Sequence, residues 1–309
     1  MQTENITNHE KSVHVPLPDG RRLHFKIAGP SRASPTNPAI ILIHGLGGTA
    51  REWSEVQRCV ARYATVCLYE RAGYHGSDPP TQPPTCENIA KDLRALLKAA
   101  RVDPPYFLVG HSYGGVIARQ VLRDVPDEVT GMVLLDSVPV VRRFPAEWTR
   151  LLGGSTYEEV VGLVGNRAVS EKEWQMIADE SMVNEALGGI AEVELNLMAP
   201  GNQQLNESLQ GREVLGDQRL CVVFCDESND FRKVYEHAVR HNFGTVAERE
   251  IVRKHLETMS AEDEVAQRTQ LALSSQARFI KTEGKLATHN VHLVDPVWVS
   301  EQIMWVYGG

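Results

Sequence analysis

Eight short, largely apolar runs recur along the chain, each four or five residues long: Val13–Leu17, Leu23–Ile27, Ala39–Ile43, Thr65–Tyr69, Tyr106–Val109, Met132–Leu135, Leu220–Phe224 and Ala277–Ile280. The first two flank Pro18-Asp19-Gly20 and read as a hairpin. The others are closer to continuously apolar than to alternating, as expected of strands buried on both faces of a parallel sheet. Helical patterns separate them. Cys86–Ala100 repeats Ile89, Leu93, Leu96 and Leu97 on one face, and Trp53–Tyr63 reads as a second helix. Asp295-Pro296 opens the last helix, with aspartate as N-cap and proline at its first position, and Val299, Ile303 and Val306 form its buried face. The pattern predicts an α/β fold, a mostly parallel central sheet with helices on both faces.

The regular alternation stops between about 138 and 218. That stretch is helical, is broken at Gly153-Gly154 and Gly188-Gly189, and holds large apolar residues including Trp148, Leu152 and Trp174. About eighty residues without a strand are too many for an ordinary crossover, so the segment reads as an inserted helical cap. The expected division is a core of 1–137 and 219–309 with a cap of 138–218. Residues 1–11 read as a loosely attached tail, and Phe231–Leu273 as one long charged helical region.

Gly110-His111-Ser112-Tyr113-Gly114-Gly115 lies between the strand at 106–109 and a helical pattern of Val116, Ile117, Val121 and Leu122. Strand, sharp turn and helix with a serine at the tip are the context of a G-x-S-x-G nucleophile elbow. Gly110 and Gly114 flank the serine where the two backbones nearly touch. A serine hydroxyl is a weak nucleophile and needs a base, and the base needs an acid to fix its tautomer. Of eleven histidines, His289 and His292 follow the last strand, where the chain returns to the top edge of the sheet; His289 is the nearer and is the expected base. As a base it works neutral, so activity should fall on the acid side with an apparent pKa near neutrality. An oxyanion hole needs two converging N–H groups: Tyr113, after the nucleophile, and Leu46, in the loop His44-Gly45-Leu46 after an adjacent strand. His44 is expected to be structural.

The acid is open among Asp136, Asp230 and Asp226, all just beyond an apolar strand. Asp136 is favoured. It comes 24 residues after Ser112, enough for a helix of about 13 residues descending about 20 Å and a strand climbing back about 17 Å. Asp230 precedes His289 by 59 residues, more than one connecting helix requires.

Composition narrows the rest. With 32 basic and 40 acidic residues the net charge is −8, which disfavours nucleic acid or an anionic membrane as partner. The start is polar without an apolar signal region, and no run is long enough to span a bilayer. Five cysteines, several in apolar strands, read as reduced thiols of a cytoplasmic protein. Cys221 and Cys225 have no Cys/His pair nearby, so neither a metal nor a cofactor is expected.

His44-Gly45-Leu46-Gly47-Gly48, Glu70-Arg71-Ala72-Gly73-Tyr74-His75-Gly76-Ser77, the elbow and the late His289 together resemble the α/β-hydrolase superfamily, in particular its cap-bearing esterase, lactonase and C–C hydrolase branch. The resemblance covers about 12–136 and 219–309. It implies Ser112 as nucleophile, His289 as base and Leu46 and Tyr113 as oxyanion donors. Epoxide hydrolases and dehalogenases of the superfamily carry an aspartate where Ser112 stands, so the resemblance argues against both. The pair before the histidine departs from the usual Ser-Gly: it is Ala287-Thr288. The expected function is hydrolysis of an ester, lactone or thioester of a hydrophobic small molecule, with Trp148, Leu152 and Trp174 lining the pocket. A C–C bond hydrolase with the same triad, or a slow-turnover ligand receptor on the same scaffold, are the alternatives.

Overall fold

The computed structural model describes residues 10–137, 139–140, 144–186 and 189–308. The strands are β1 (Lys11–Pro16), β2 (Arg22–Ala28), β3 (Ala39–Ile43), β4 (Val66–Tyr69), β5 (Tyr106–His111), β6 (Val129–Leu135), β7 (Leu220–Phe224) and β8 (Ala277–Lys281). They form one sheet in the order β1-β2-β4-β3-β5-β6-β7-β8. The β1–β2 and β2–β4 pairs are antiparallel and the remaining neighbours parallel. Every predicted strand is present. β1 starts at Lys11, which pairs with Ile27, so Lys11 is not part of a tail; the predicted tail at 1–9 lies outside the described residues.

The helices are α1 (Ser54–Val60), α2 (Cys86–Ala99), α3 (Tyr113–Asp124), α4 (Tyr157–Val160), α5 (Leu163–Asn166), α6 (Glu171–Ala186), α7 (Ile190–Leu209), α8 (Ser228–His241), α9 (Val246–Arg268), α10 (Val291–Val294) and α11 (Pro296–Tyr307). Thr85 caps α2 through Asn88 N–H, and Asp295 caps α11 through Trp298 N–H.

The pleat of β3 sorts its side chains to opposite faces. Ile41 and Ile43 join the cluster that holds Leu93, Leu97, Val116 and Leu122 of α2 and α3. Ile40 and Leu42 join Val56 and Val60 of α1 with Val299 and Ile303 of α11. Both faces are thereby covered, and each fully buried Ile or Leu stabilises the fold by about 1.5–3 kcal/mol.

A third apolar cluster lies outside the sheet. Leu151, Val161, Leu163, Val169 and Ile177, from the β6–β7 connection, pack with Phe231, Val234, Val252, Leu256 and Met259 of α8 and α9. The β7–β8 connection therefore leaves the sheet as well, which accounts for the long interval between Asp230 and His289. It is two helices rather than one. Asn242 ends α8 in the left-handed region, with φ 56°, and Thr245 restarts the chain with a capping box to Glu248. The predicted glycine breaks fall at Gly153 and Gly154, with φ 60° and 95°, and at Gly189, with φ 66°; Gly188 lies outside the described residues. No helix among the described residues is long and apolar enough to cross a membrane.

Candidate active site

The site is built at the ends of β5 and β6. Their register sets His111 beside Leu135, so the next residues, Ser112 and Asp136, leave the sheet side by side. Ser112 N–H donates to Leu135 O at 3.0 Å, and Asp136 N–H donates to Val223 O at 2.8 Å. Both residues have positive φ, 52° for Ser112 and 45° for Asp136. With ψ −123°, Ser112 occupies a region that costs of order 1–3 kcal/mol and persists only where the surroundings enforce it. The enforcement is steric. A Cβ on Gly114 would run into the Ile43 carbonyl oxygen, and one on Gly110 into Gly114 and Gly115. Strand and helix meet there without room for a side chain.

His289 Nδ1 lies 2.8 Å from Asp136 Oδ2. A carboxylate only accepts, so Nδ1 carries the proton and Nε2 is left as the basic nitrogen. Asp136 Oδ1 accepts from Cys225 N–H at 3.0 Å and Gln267 Nε2 at 2.9 Å. Burial pushes the Asp136 carboxyl up, but His289, Gln267 and Cys225 outweigh it and hold it below the ordinary carboxylate value. Asp230 is also at the site in another role. Its Oδ2 accepts from His289 N–H at 2.9 Å and from Thr288 Oγ1 at 2.8 Å, fixing the backbone that carries the imidazole. Asp226 is elsewhere, accepting from Ser228 Oγ and Ser260 Oγ. Thr288 thus has a structural partner.

Burial pulls the His289 imidazolium down, but Glu227, Asp136 and Asp230 overcome this and raise its pKa to about 9. Three carboxylates act on the ring where the sequence suggested one, and they pull upward from the value near neutrality expected there. Burial pushes Glu227 itself up to about 7, against the pull of His289. His292 is buried and stacked on Trp53, with ring centroids 5.0 Å apart. His111, unremarked in the sequence, separates the two histidines: its ring is 4.5 Å from His289 and 4.4 Å from His292. Its Nε2 donates to His289 O at 2.8 Å. Burial, with His292 and His289, keeps it well below the ordinary histidine pKa.

On the other side of Ser112 runs the loop after β3. A Cβ on Gly45 would lie 3.2 Å from Ser112 Cβ and 3.2 Å from His111 Nδ1, so a side chain there would press on both residues of the elbow. Tyr113 is the first residue of α3, and its N–H has no acceptor within the helix. His44 is buried, and burial with the Arg71 charge pulls it well below its ordinary pKa.

Trp148, Leu152 and Trp174 pack against the third apolar cluster. Trp148 meets Tyr157 and Phe231 edge-on at 5.9 and 5.6 Å, and the Arg167 guanidinium lies over Trp174 at 4.9 Å. A cavity of about 820 Å³ opens elsewhere, lined by Pro139, Val140, Asn202, Asn206 and Gln270 among others, and none of the three residues is in its lining.

A family profile described as alpha/beta hydrolase fold matches residues 38–156, from the start of β3 through the elbow and β6 to the N-cap of α4. An AB hydrolase superfamily protein of Gibberella zeae is 25% identical over 306 residues, covering 94% of this chain and 93% of that protein. A probable transporter of Hormonema carpetanum is 27% identical over 313 residues, 97% of this chain; the chain spans only 43% of that relative's length. Among solved structures, the 2-hydroxy-6-oxo-6-phenylhexa-2,4-dienoate hydrolase of Rhodococcus sp. strain RHA1 superposes with a TM-score of 0.63 at 15% identity, covering 97% of this chain and all of that one. With the sheet order and the elbow, these matches show the α/β-hydrolase fold and support the α/β-hydrolase superfamily for this chain.

Proposed function

We propose that the protein is a serine hydrolase that cleaves an ester, lactone or thioester of a hydrophobic small molecule through an acyl-enzyme. The observation that carries the reading is the 2.8 Å contact of His289 Nδ1 with Asp136 Oδ2, made one strand over from a serine held at φ 52° on an elbow. Ser112 Oγ attacks the carbonyl carbon and passes its proton to His289 Nε2. Asp136 holds the tautomer and balances the imidazolium. The Leu46 and Tyr113 N–H groups receive the negative charge that develops on the carbonyl oxygen. The imidazolium then protonates the leaving alcohol or thiol. Water, deprotonated by the same nitrogen, releases the acid and frees Ser112.

We assign the helices of 138–218 as a cap. The third cluster, with Trp148, Leu152 and Trp174 packed against it, borders the acid side of the site: Tyr157, in ring contact with Trp148, feels the charges of Asp230, Glu227 and Asp136. These three residues set specificity in this reading.

The test is turnover of a series of para-nitrophenyl esters and of γ- and δ-lactones by wild type and Ser112→Ala. Ser112-dependent turnover supports the reading. No turnover on any of them, with Ser112-dependent cleavage of a vinylogous β-diketone, replaces it with a C–C hydrolase. Tight ligand binding with no turnover on either series replaces it with a receptor.

A further inference from the structure

A buried ion pair lies behind the loop that carries Leu46. Arg71 and Glu194 are 1% and 0% exposed at their side chains. Arg71 Nε and Nη2 donate to the two carboxylate oxygens of Glu194 at 3.0 and 2.9 Å. The same guanidinium donates from Nη1 to His44 O at 2.8 Å and from Nη2 to Gly45 O at 2.9 Å. Tyr74 closes the ring. Its hydroxyl donates to Glu194 Oε2 at 2.7 Å and accepts from Gly47 N–H at 3.2 Å. Three backbone groups of the loop, on both sides of Leu46, are thus held by one charged cluster.

The geometry of the peptide gives this cluster a consequence for the reaction. Gly45 C=O and Leu46 N–H belong to the same peptide unit. In a planar trans peptide the two point in opposite directions. Arg71 fixes the carbonyl, so it fixes the direction of the Leu46 N–H, away from Arg71. A guanidinium on the carbonyl also polarises the unit and strengthens its N–H as a donor.

Resting on the serine-hydrolase reading, we propose that Arg71 is a positioning residue for the oxyanion hole and that Glu194 is its dedicated counterion. Glu194 lies on α7, in the β6–β7 connection, whereas Arg71 follows β4 in the sheet. The first turn of α7 seats on the same loops: a Cβ on Gly47 would meet Ala191 at 3.9 Å, and one on Gly73 would meet Ile190 at 3.1 Å. The inserted helix and the oxyanion hole are therefore assembled as one unit. Arg71 alone would be a buried unpaired cation, and Glu194 alone a buried unpaired anion. Lysine in place of Arg71 keeps the charge but lacks the fork that reaches two carbonyls and a carboxylate together.

The experiment compares wild type, Arg71→Lys, Tyr74→Phe and the double variant Arg71→Leu/Glu194→Leu on a para-nitrophenyl ester that wild type turns over in a Ser112-dependent manner. Replacing both partners of a buried pair by apolar residues commonly preserves folding. The double variant is expected to lose about 10²–10³ in kcat, the effect of one oxyanion donor. KM and the pH midpoint set by His289 should stay near wild type. Arg71→Lys is expected to lose at least about tenfold in kcat by the same route, and Tyr74→Phe less. A purely structural role would lower Tm and leave kcat intact below the melting range. Arg71→Lys, or a folded double variant, with wild-type kcat overturns the inference while leaving the hydrolase reading in place. A wild type with no Ser112-dependent turnover overturns both.

Discussion

Asp136 Oδ2 and His289 Nδ1 meet at 2.8 Å across 153 residues of chain, while Asp230 Oδ2 grips the backbone N–H of the same histidine at 2.9 Å. One carboxylate orients the ring and the other orients the residue that bears it. Asparagine at 136 can still accept from Cys225 N–H through its oxygen, but it then turns an amide N–H toward His289 and imposes the wrong tautomer. Asp136→Asn is expected to keep the fold and lose about 10⁴ in kcat, as removal of a triad acid does in serine proteases. Asp230→Asn should cost less in kcat and more in Tm. Steady-state kinetics and thermal melts of the two variants check the ranking, and the reverse order would exchange the two roles.

In the proposed serine-hydrolase mechanism, the carboxylates around His289 set the pH dependence of turnover. A base with a pKa of about 9 is mostly protonated at pH 7, so kcat/KM should rise with pH and level off above about 9. Glu227 is the foremost of the groups that raise it, so Glu227→Gln should move the midpoint down toward the ordinary 6.5. Stability runs the opposite way. Protonated His289 stabilises the folded state fully below its unfolded pKa of 6.5, and that contribution is lost as pH rises through about 9. A wild-type midpoint near 6.5 that Glu227→Gln leaves in place would contradict this.

Trp148 lies half-buried against Phe231 and Tyr157. Trp148→Ala is expected to destabilise the protein by about 2–3 kcal/mol, below the 3–5 kcal/mol of a fully buried aromatic. Because Tyr157 adjoins the site, the ratio of rates on bulky and small esters should change as well. Denaturant unfolding and a two-ester comparison read both effects, and an unchanged stability would show that the third cluster does not depend on this ring.

At Gly114 no side chain fits, because its Cβ would collide with the Ile43 carbonyl oxygen. Gly114→Ala should not accumulate as folded protein. Gly154, with nothing within 4 Å of its Cβ, pays only for its φ of 95°, and Gly154→Ala should fold with a modest loss. Soluble yield and circular dichroism compare the pair.

Most of the sheet was legible because a strand buried on both faces needs apolar side chains at every position, and Ile40 to Ile43 or Val222 to Phe224 show that directly. The elbow was legible because its glycines are forced by backbone contact within a few residues. Choosing Asp136 over Asp230 drew on strand ends, which a sequence displays; that both would reach His289, one by side chain and one by backbone, depends on atoms 59 and more residues apart. The division into α8 and α9 does not show within one long charged helical region, because their buried positions, Phe231, Val234, Leu256 and Met259, face the β6–β7 connection rather than the sheet. At Arg71 the local motif Glu70-Arg71-Ala72-Gly73 gives no sign of its distant partner Glu194. On α7 there was one: Glu194 and Asn202 share the buried side with Leu205 and Leu209, and polar residues on an apolar helix face call for buried partners.

The most direct measurement is covalent labelling by a fluorophosphonate: the oxygen of an activated serine attacks phosphorus, the P–O bond forms, and fluoride leaves as the base takes the serine proton. Intact mass spectrometry of wild type should show the addition of one phosphonyl group, peptide mapping should locate it on Ser112, and Ser112→Ala should remain unlabelled. A wild-type protein that stays unlabelled, or that carries the group on another residue, would contradict the assignment of Ser112 as the nucleophile.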